Sequence, residues 1–161
     1  MSDVQAPIGP PLIGALLRAP TDAIRVRMLA ELHAGGFTDF VPAHFAVFRY
    51  PPPDGLRPSD LANSTGMTRQ ATGYLLGQLE QLGYLTRDDD PEDQRSKRIR
   101  LTKRGYAAAQ TIRHTVAEIE SELAEELGAK PFTQLRELLV KLNATTTIRG
   151  PIPQTTPAAS P

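Results

Sequence analysis

The chain contains no cysteine, which excludes disulfides, thiolate zinc sites, catalytic thiols and thiol redox sensing at once. It has no long hydrophobic run either. The N-terminal stretch "MSDVQAPIGPPLIGALLRAPTD" holds only a few consecutive apolar residues, is interrupted by proline and lacks a basic leader. It reads as neither a signal peptide nor a membrane span. A cytoplasmic protein without a membrane partner is the expectation. Net charge is missing too: 18 basic residues face 18 acidic ones, which speaks against a nucleic-acid binder held by bulk charge.

Signs of catalysis and of metal binding are equally sparse. There is no phosphate-cradling glycine loop and no nucleophile with a paired base, and the Glu-rich stretch 118–126 reads as a solvated helix face. His33, His44 and His114 lie far apart, with no carboxylate at metal-ligand spacing. No enzyme activity, cofactor or metal is expected.

What is present is an uneven charge pattern in a chain whose 161 residues suit one folding unit, or a small domain with dimerising extensions. Residues 87–104, "RDDDPEDQRSKRIRLTKR", carry Arg87, Arg95, Lys97, Arg98, Arg100, Lys103 and Arg104. Residues 118–126 carry Glu118, Glu120, Glu122, Glu125 and Glu126 without a base. The neutral total hides a basic middle and an acidic later helix.

The two ends are Pro-rich, with little to bury, and flexibility is expected there. Leu12, Ile13, Leu16 and Leu17 predict a short apolar helix, and Pro20-Thr21-Asp22 predicts a restart with Ile24, Met28 and Leu32 on one face, ended by Gly35 and Gly36. After Pro42, "PAHFAVFRY" predicts a further short helix with Phe45 and Phe48 inward, stopping before Pro51. "RPSDLANSTGMTRQATGYLLGQLEQLG" predicts a helix opened by Pro58, a break at Gly66 and a second helix capped by Thr68, the helix-turn-helix pattern.

Beyond Gly83, "YLTRD" and "KRIRL" have strand character, separated by a polar loop, "DDPEDQRS", too long for a two-residue turn. Alternation turns Ile99 and Leu101 to the core and Arg98 and Arg100 to the opposite face. Thr102 caps a long helix whose stripe is Tyr106, Ala109, Ile112, Val116, Ile119, Leu123 and Leu127. Pro131 opens the last helix, with Phe132, Leu135, Leu138, Leu139 and Leu142 as its apolar face. These outer stripes exceed what a small module covers, and a second copy of the chain would satisfy them in a twofold dimer.

The wing carries Asp93-x-Arg95 followed by Leu101-Thr102-x-x-Gly105, and the preceding helices carry Leu61, Ala62, Gly66, Thr68, Arg69, Leu75, Leu79, Glu80, Gly83 and Tyr84. In these residues the chain resembles the multiple-antibiotic-resistance regulator (MarR) family of winged-helix transcription factors. The resemblance implies a mainly α fold with a small two- or three-stranded β wing, a winged helix-turn-helix with dimerising N- and C-terminal helices. Its divisions would be a flexible 1–11, dimerisation helices in 12–40, a DNA-binding winged helix-turn-helix in 41–105, dimerisation helices in 106–147 and a flexible tail, 148–161. It implies a homodimeric repressor on a palindromic double-stranded DNA operator, released by a small aromatic or anionic effector. Residues 68–82 would lie in the major groove and residues 88–97 would form the wing tip.

Chemistry supports that transfer at particular positions. A guanidinium at Arg95 suits the negative potential of a narrow minor groove, and Asp93 can hold that side chain or the loop. Arg98, Arg100, Lys103 and Arg104 can neutralise phosphates, and Arg87 and Lys97 are further candidate DNA contacts. The competing reading is a solvated strand edge balanced by Asp88, Asp89, Asp90, Glu92 and Asp93.

At about 100° per residue, Ala71, Leu75, Leu79 and Leu82 share one face of the recognition helix. Gly73 and Gly77 fall at the centre of the other, beside Arg69, Gln70 and Tyr74. The glycines either admit the backbone close to the bases or face only water, while Thr68, Arg69, Gln70, Gly73 and Tyr74 are the candidate groove contacts. The family often has a polar or basic side chain where Gly73 and Tyr74 stand.

Phe37, Phe40, Phe45, Phe48 and Tyr50 cluster with His44 and Arg49 at the expected junction of the first helices and the winged module. By resemblance this is the effector site, with His44, Phe48 and Phe40 as candidate ligand contacts; ordinary core packing is the competing reading. A winged-helix module that binds another protein without touching DNA is the alternative function.

Overall fold

The proline nearest the N-terminal helix signals does not break the helix. In the structure, a computed structural model, α1 runs from Ile13 to Ala34 with Pro20 inside it, where the sequence pattern implies two helices. Pro20 has no N–H, so the Leu16 carbonyl loses its helical donor. The position is exposed, and one residue on, the Thr21 hydroxyl donates to the Leu17 carbonyl at 2.8 Å. The run of Ala, Leu, Arg, Met and Glu that follows favours continuation over a restart. The structure describes residues 9–49 and 52–145. Tyr50, most of the expected flexible N-terminus and the Pro-rich tail lie outside the described residues.

α1 ends at Gly35, and the His33 ring Nε2 lies 2.8 Å from the Phe40 carbonyl, fixing the following bend. A single 3-10 turn, Pro42–Ala46, then buries His44 and Phe45. α2 is Pro58–Thr65, with Pro58 in its first turn as expected. Its stop is Gly66 at φ 69°, a left-handed conformation that costs a residue without a side chain nothing. α3, Arg69–Gln81, follows at once.

The wing pairs β1, Leu85–Asp90, antiparallel with β2, Asp93–Leu101. Residues 55 and 56 run alongside β2: the Gly55 amide donates to the Ile99 carbonyl (2.7 Å) and the Ile99 amide to the Leu56 carbonyl (2.9 Å). A third strand is thereby reduced to two hydrogen bonds. α4 spans Lys103–Leu127 and α5 Ala129–Ala144.

The chain divides into two compact units, residues 1–117 and 118–161, the division falling inside α4. In the first, one apolar cluster joins Leu32 of α1, Phe40, Phe45 and Phe48, Leu61 of α2, Leu75, Leu76 and Leu79 of α3, Ile99 of β2 and Ile112 of α4. At about 25 cal/mol per Å² of apolar surface, such burial is the main force holding the helix-turn-helix to its wing. On α4 the buried line is Ala108, Ile112, Thr115 and Ile119. The expected stripe is thus displaced at its start, because Tyr106 is half exposed, with its hydroxyl donating to Asp54 at 2.8 Å.

In the second unit Arg136 pairs with Glu120. No residue of α5 is buried, and Leu138 is 62% exposed. α1 likewise leaves Val26 71% exposed, and Leu12 just ahead of it 80%. Among the described residues, each of these apolar faces is left exposed.

Candidate nucleic-acid interface

α3 starts as its sequence dictates. Thr68 is the N-cap, its hydroxyl oxygen accepting the Ala71 amide at 3.1 Å, which satisfies a donor the helix cannot. The buried face is Thr72, Leu75, Leu76 and Leu79, with Ala71 and Leu82 only partly covered. Relative to the expected set, this turns the inward direction by roughly 50° at about 100° per residue. The signal missed was Leu76, an apolar residue beside the stripe. The outward face is therefore centred on Gln70, Tyr74, Gly77 and Gln81, with Gly73 on its shoulder. Arg69 and Gln70 are exposed on the first turn. Tyr74 is 67% exposed, its hydroxyl accepting from the Gln78 amide nitrogen at 3.1 Å.

Nothing lies within 4 Å of a Cβ added at Gly73 or Gly77. Each glycine costs the helix up to ~1 kcal/mol against alanine. Gly73→Ala and Gly77→Ala should each raise the thermal midpoint by about 2–4 °C per kcal/mol recovered, as read by circular dichroism. If the bare strip meets DNA, the same substitutions weaken DNA binding; a gain in stability with affinity intact excludes close approach.

The wing is tighter than its sequence suggests. The polar "loop" belongs mostly to the strands, leaving Pro91 and Glu92 as a two-residue turn, and the surplus residues go into a bulge. Register proceeds from Leu85 opposite Leu101 to Asp89 opposite Lys97, then jumps to Asp90 opposite Asp93. Bulges re-aim side chains, and Arg95 sits in this one. The Asp93 carboxylate accepts the Arg95 amide at 3.0 Å and the Ser96 hydroxyl at 2.8 Å. Those two bonds hold the Asp93 carboxyl below its usual range. Asp93 thus holds the backbone under Arg95, leaving the guanidinium exposed and without an ion pair among the described residues.

Several other expected cations are engaged within the chain. Arg87 pairs with Glu80 at the end of α3, and Lys97 with Asp89 at 2.6 Å. The latter pair is solvent-exposed and weak, so it exchanges readily for another anion. Arg98 meets Asp90 at 2.9 Å and Glu92 at 2.8 Å. Arg57, which the motifs did not mark, reaches Asp90 at 2.7 Å. The Asp90 side chain is fully buried. Burial pushes its carboxyl up, but the Glu92 amide and the guanidinia of Arg98 and Arg57 outweigh it and set the value at about 2. Among the described residues, Arg69, Arg95, Arg100 and Lys103 are exposed cations without a partner.

The joint from wing to α4 shows why Leu101-Thr102-x-x-Gly105 has its spacing. The Thr102 hydroxyl donates to the Gly83 carbonyl at 2.6 Å and accepts the Gly105 amide at 3.1 Å, while the Thr102 amide donates to the Tyr84 carbonyl at 3.1 Å. Arg104, expected at phosphates, faces inward instead. Its guanidinium donates to both Asp39 oxygens at 2.9 Å and to the Leu82 carbonyl at 2.5 Å, and lies 4.5 Å over the Tyr84 ring. The Tyr84 hydroxyl donates to Asp39 at 2.6 Å. Burial and that carboxylate raise the phenol's pKa.

At the aromatic junction, Phe40 packs edge-on against His44 at 5.1 Å and Phe48 at 5.6 Å, all three in the core. The His44 Nδ1 accepts the Val41 amide at 3.2 Å, and burial holds the imidazole below its ordinary value. Phe48 alone of these three lines an adjoining cavity of about 160 Å³, with Arg25, Met28, Phe45, Arg49 and Ile112. Of the two arginines there, Arg49 stands beside the aromatic cluster in the sequence, whereas Arg25 carries no such signal, because α1 brings it from far upstream.

Residues 49–96 match the model of the MarR family. The transcriptional repressor CouR bound to a 23-mer DNA duplex is 26% identical, over 82% of this chain and 92% of that one, with a TM-score of 0.63. A Mycobacterium tuberculosis MarR family protein in complex with salicylic acid is 27% identical, over 83% and 97%, with a TM-score of 0.59. Wild-type MarR from E. coli in its apo form shares the fold at 22% identity, over 84% and 98%, with a TM-score of 0.61.

Proposed function

From a winged helix of MarR type as premise, we propose that this protein is a homodimeric transcriptional repressor. It would hold a palindromic operator with α3 in the major groove and Arg95 in the minor groove. The observation that carries this reading is the presence of two exposed groups in one compact unit: Arg69, Gln70 and Tyr74 on α3, and Arg95 on a bulge that Asp93 braces. A chain merely discouraging edge pairing has no need of a guanidinium held out while its neighbours are neutralised. The likeness to a repressor bound to DNA supports the same reading.

Dimerisation follows from the apolar faces of α1 and α5, which a second copy would cover. Residues 12–40 and 106–147 carry them, and residues 41–105 carry the DNA contacts. The cavity at Phe48, lined also by Arg25 and Arg49, suits a small aromatic anion as effector, and the likeness to a salicylate complex supports that class.

The test is a salt series. Titrating the purified protein onto DNA flanking its own gene should give a steep fall of log K with log salt. If Arg69, Arg95, Arg100 and Lys103 of each protomer all reach phosphates, the slope approaches roughly −7. A flat series would instead favour a winged helix that binds another protein.

A further inference from the structure

The least expected group in the wing is Asp90, a fully buried carboxylate at the tip of an exposed hairpin. Its two oxygens are shared among the Arg57 Nε (2.7 Å), the Arg98 Nε (2.9 Å) and the Glu92 amide (3.0 Å). Arg57 is the residue before α2, and Arg98 belongs to β2. One side chain therefore ties the helix-turn-helix, the far strand and the turn together.

Stability alone does not account for this arrangement. Removing charges from water costs about what their attraction returns, and well-packed apolar replacements are often as stable or more so. What a buried carboxylate supplies, hydrogen-bonded to Arg57 and the Glu92 amide and charge-paired with Arg98, is a unique geometry. A two-stranded ribbon twists and flexes easily by itself. Near its base this one is fastened by the Gly55 and Leu56 bonds to Ile99, and at its tip by Asp90. Asp90 stands opposite Asp93, the residue that braces Arg95.

We propose that Asp90 is the positioning residue of the wing. By anchoring the turn to Arg57 it sets the angle at which Arg95 leaves the body, and so whether Arg95 enters the minor groove while α3 is seated. The proposal rests on the DNA-binding reading above. It makes a prediction opposite in sign to that of simple electrostatics. Asp90→Asn removes a negative charge close to the DNA and releases two arginines, so if the carboxylate were only a counter-charge, affinity would rise. Positioning requires it to fall.

The experiment measures operator affinity for the wild type, Asp90→Asn, Arg95→Ala and the double variant at matched salt, with thermal unfolding as a check on folding. Asp90→Asn should weaken binding about tenfold, and the Arg95→Ala penalty should shrink by about tenfold in that background, since neighbours acting as a unit are not additive. Arg57→Gln, which cuts the same tie from the α2 side and leaves the carboxylate intact, should show the same coupling to Arg95 and carries the test if Asp90→Asn does not fold. Wild-type binding weakened by Arg95→Ala, with Asp90→Asn unchanged or tighter, or effects that simply add, overturns this proposal alone. A wild type with no salt-dependent DNA binding overturns both.

Discussion

Gly105→Ala lowers the thermal midpoint by about 10 °C, corresponding to ~3 kcal/mol at about 2–4 °C per kcal/mol for a chain of this size. A Cβ at this position would lie 1.9 Å from the Tyr84 carbonyl oxygen and 3.0 Å from its carbon, with a Leu101 methyl at 3.2 Å. Van der Waals contact between carbon and oxygen begins well beyond 3 Å, so backbone must move by an ångström or more. Little there is free to move. The same Tyr84 carbonyl accepts the Thr102 amide, and Thr102 and Arg104 hold the carbonyls of Gly83 and Leu82. Relief of the clash therefore breaks the bonds that join α3, the wing and α4. Denaturation should be followed at fixed protomer concentration, because the stability of the proposed dimer would vary with it. Gly73→Ala serves as the contrast: the same chemical change in open space, with the opposite sign. A midpoint for Gly105→Ala within a degree of wild type would mean that the close approach is not maintained in solution.

Arg95→Ala weakens operator binding about 100-fold. One arginine in a narrow groove contributes about 1–3 kcal/mol, and a twofold dimer loses it twice. Taking ~1.4 kcal/mol per wing gives two factors of ten. The salt slope should fall by about 2, one unit per wing. Stability should hardly change, since the side chain is exposed and Asp93 bonds the backbone, not the guanidinium. Lys97→Ala is the internal control. Its ammonium already has Asp89 at 2.6 Å, so its removal should cost less. Affinity and slope both unmoved by Arg95→Ala would sink the minor-groove role.

Local chemistry carried the sequence reading a long way. Pro58, Gly66 and Thr68 mark the helix-turn-helix boundaries because each acts on its own backbone, and the structure has them as start, left-handed stop and cap. Thr102 and Gly105 are similarly legible as a motif, although the reason for Gly105, a carbonyl arriving from residue 84, is not. What the sequence concealed is partnership. Alternation turns Arg98 away from the core, but nothing in the sequence says that Asp39, 65 residues from Arg104, draws that arginine inward. Nor does it reveal that Arg57 reaches across 33 residues to Asp90. The wing loop was misjudged for a related reason: polar residues in a bulged ribbon look like a loop when cross-strand hydrogen bonds are unseen. The two-helix reading of α1 failed because a single proline in an exposed face removes one hydrogen bond without outweighing the good helix formers around it.

The internal neutralisation of the wing also bears on how fast a target is found. With 18 charges of each sign, and Asp89, Asp90 and Glu92 of the hairpin paired with Lys97, Arg57 and Arg98, the chain has no net charge to project beyond a Debye length of about 8 Å at physiological ionic strength. Under the proposed reading its encounters with DNA would be steered only at short range, by the unpaired cations of α3 and the wing, and so run nearer 10⁵–10⁶ M⁻¹s⁻¹ than the 10⁸–10⁹ of strongly charged partners. Random duplex detains such a protein only briefly. On that reading, occupancy of an operator would depend on slow departure once α3 and the wing are both seated, and an effector that disturbs their alignment would act on residence time and hardly on arrival.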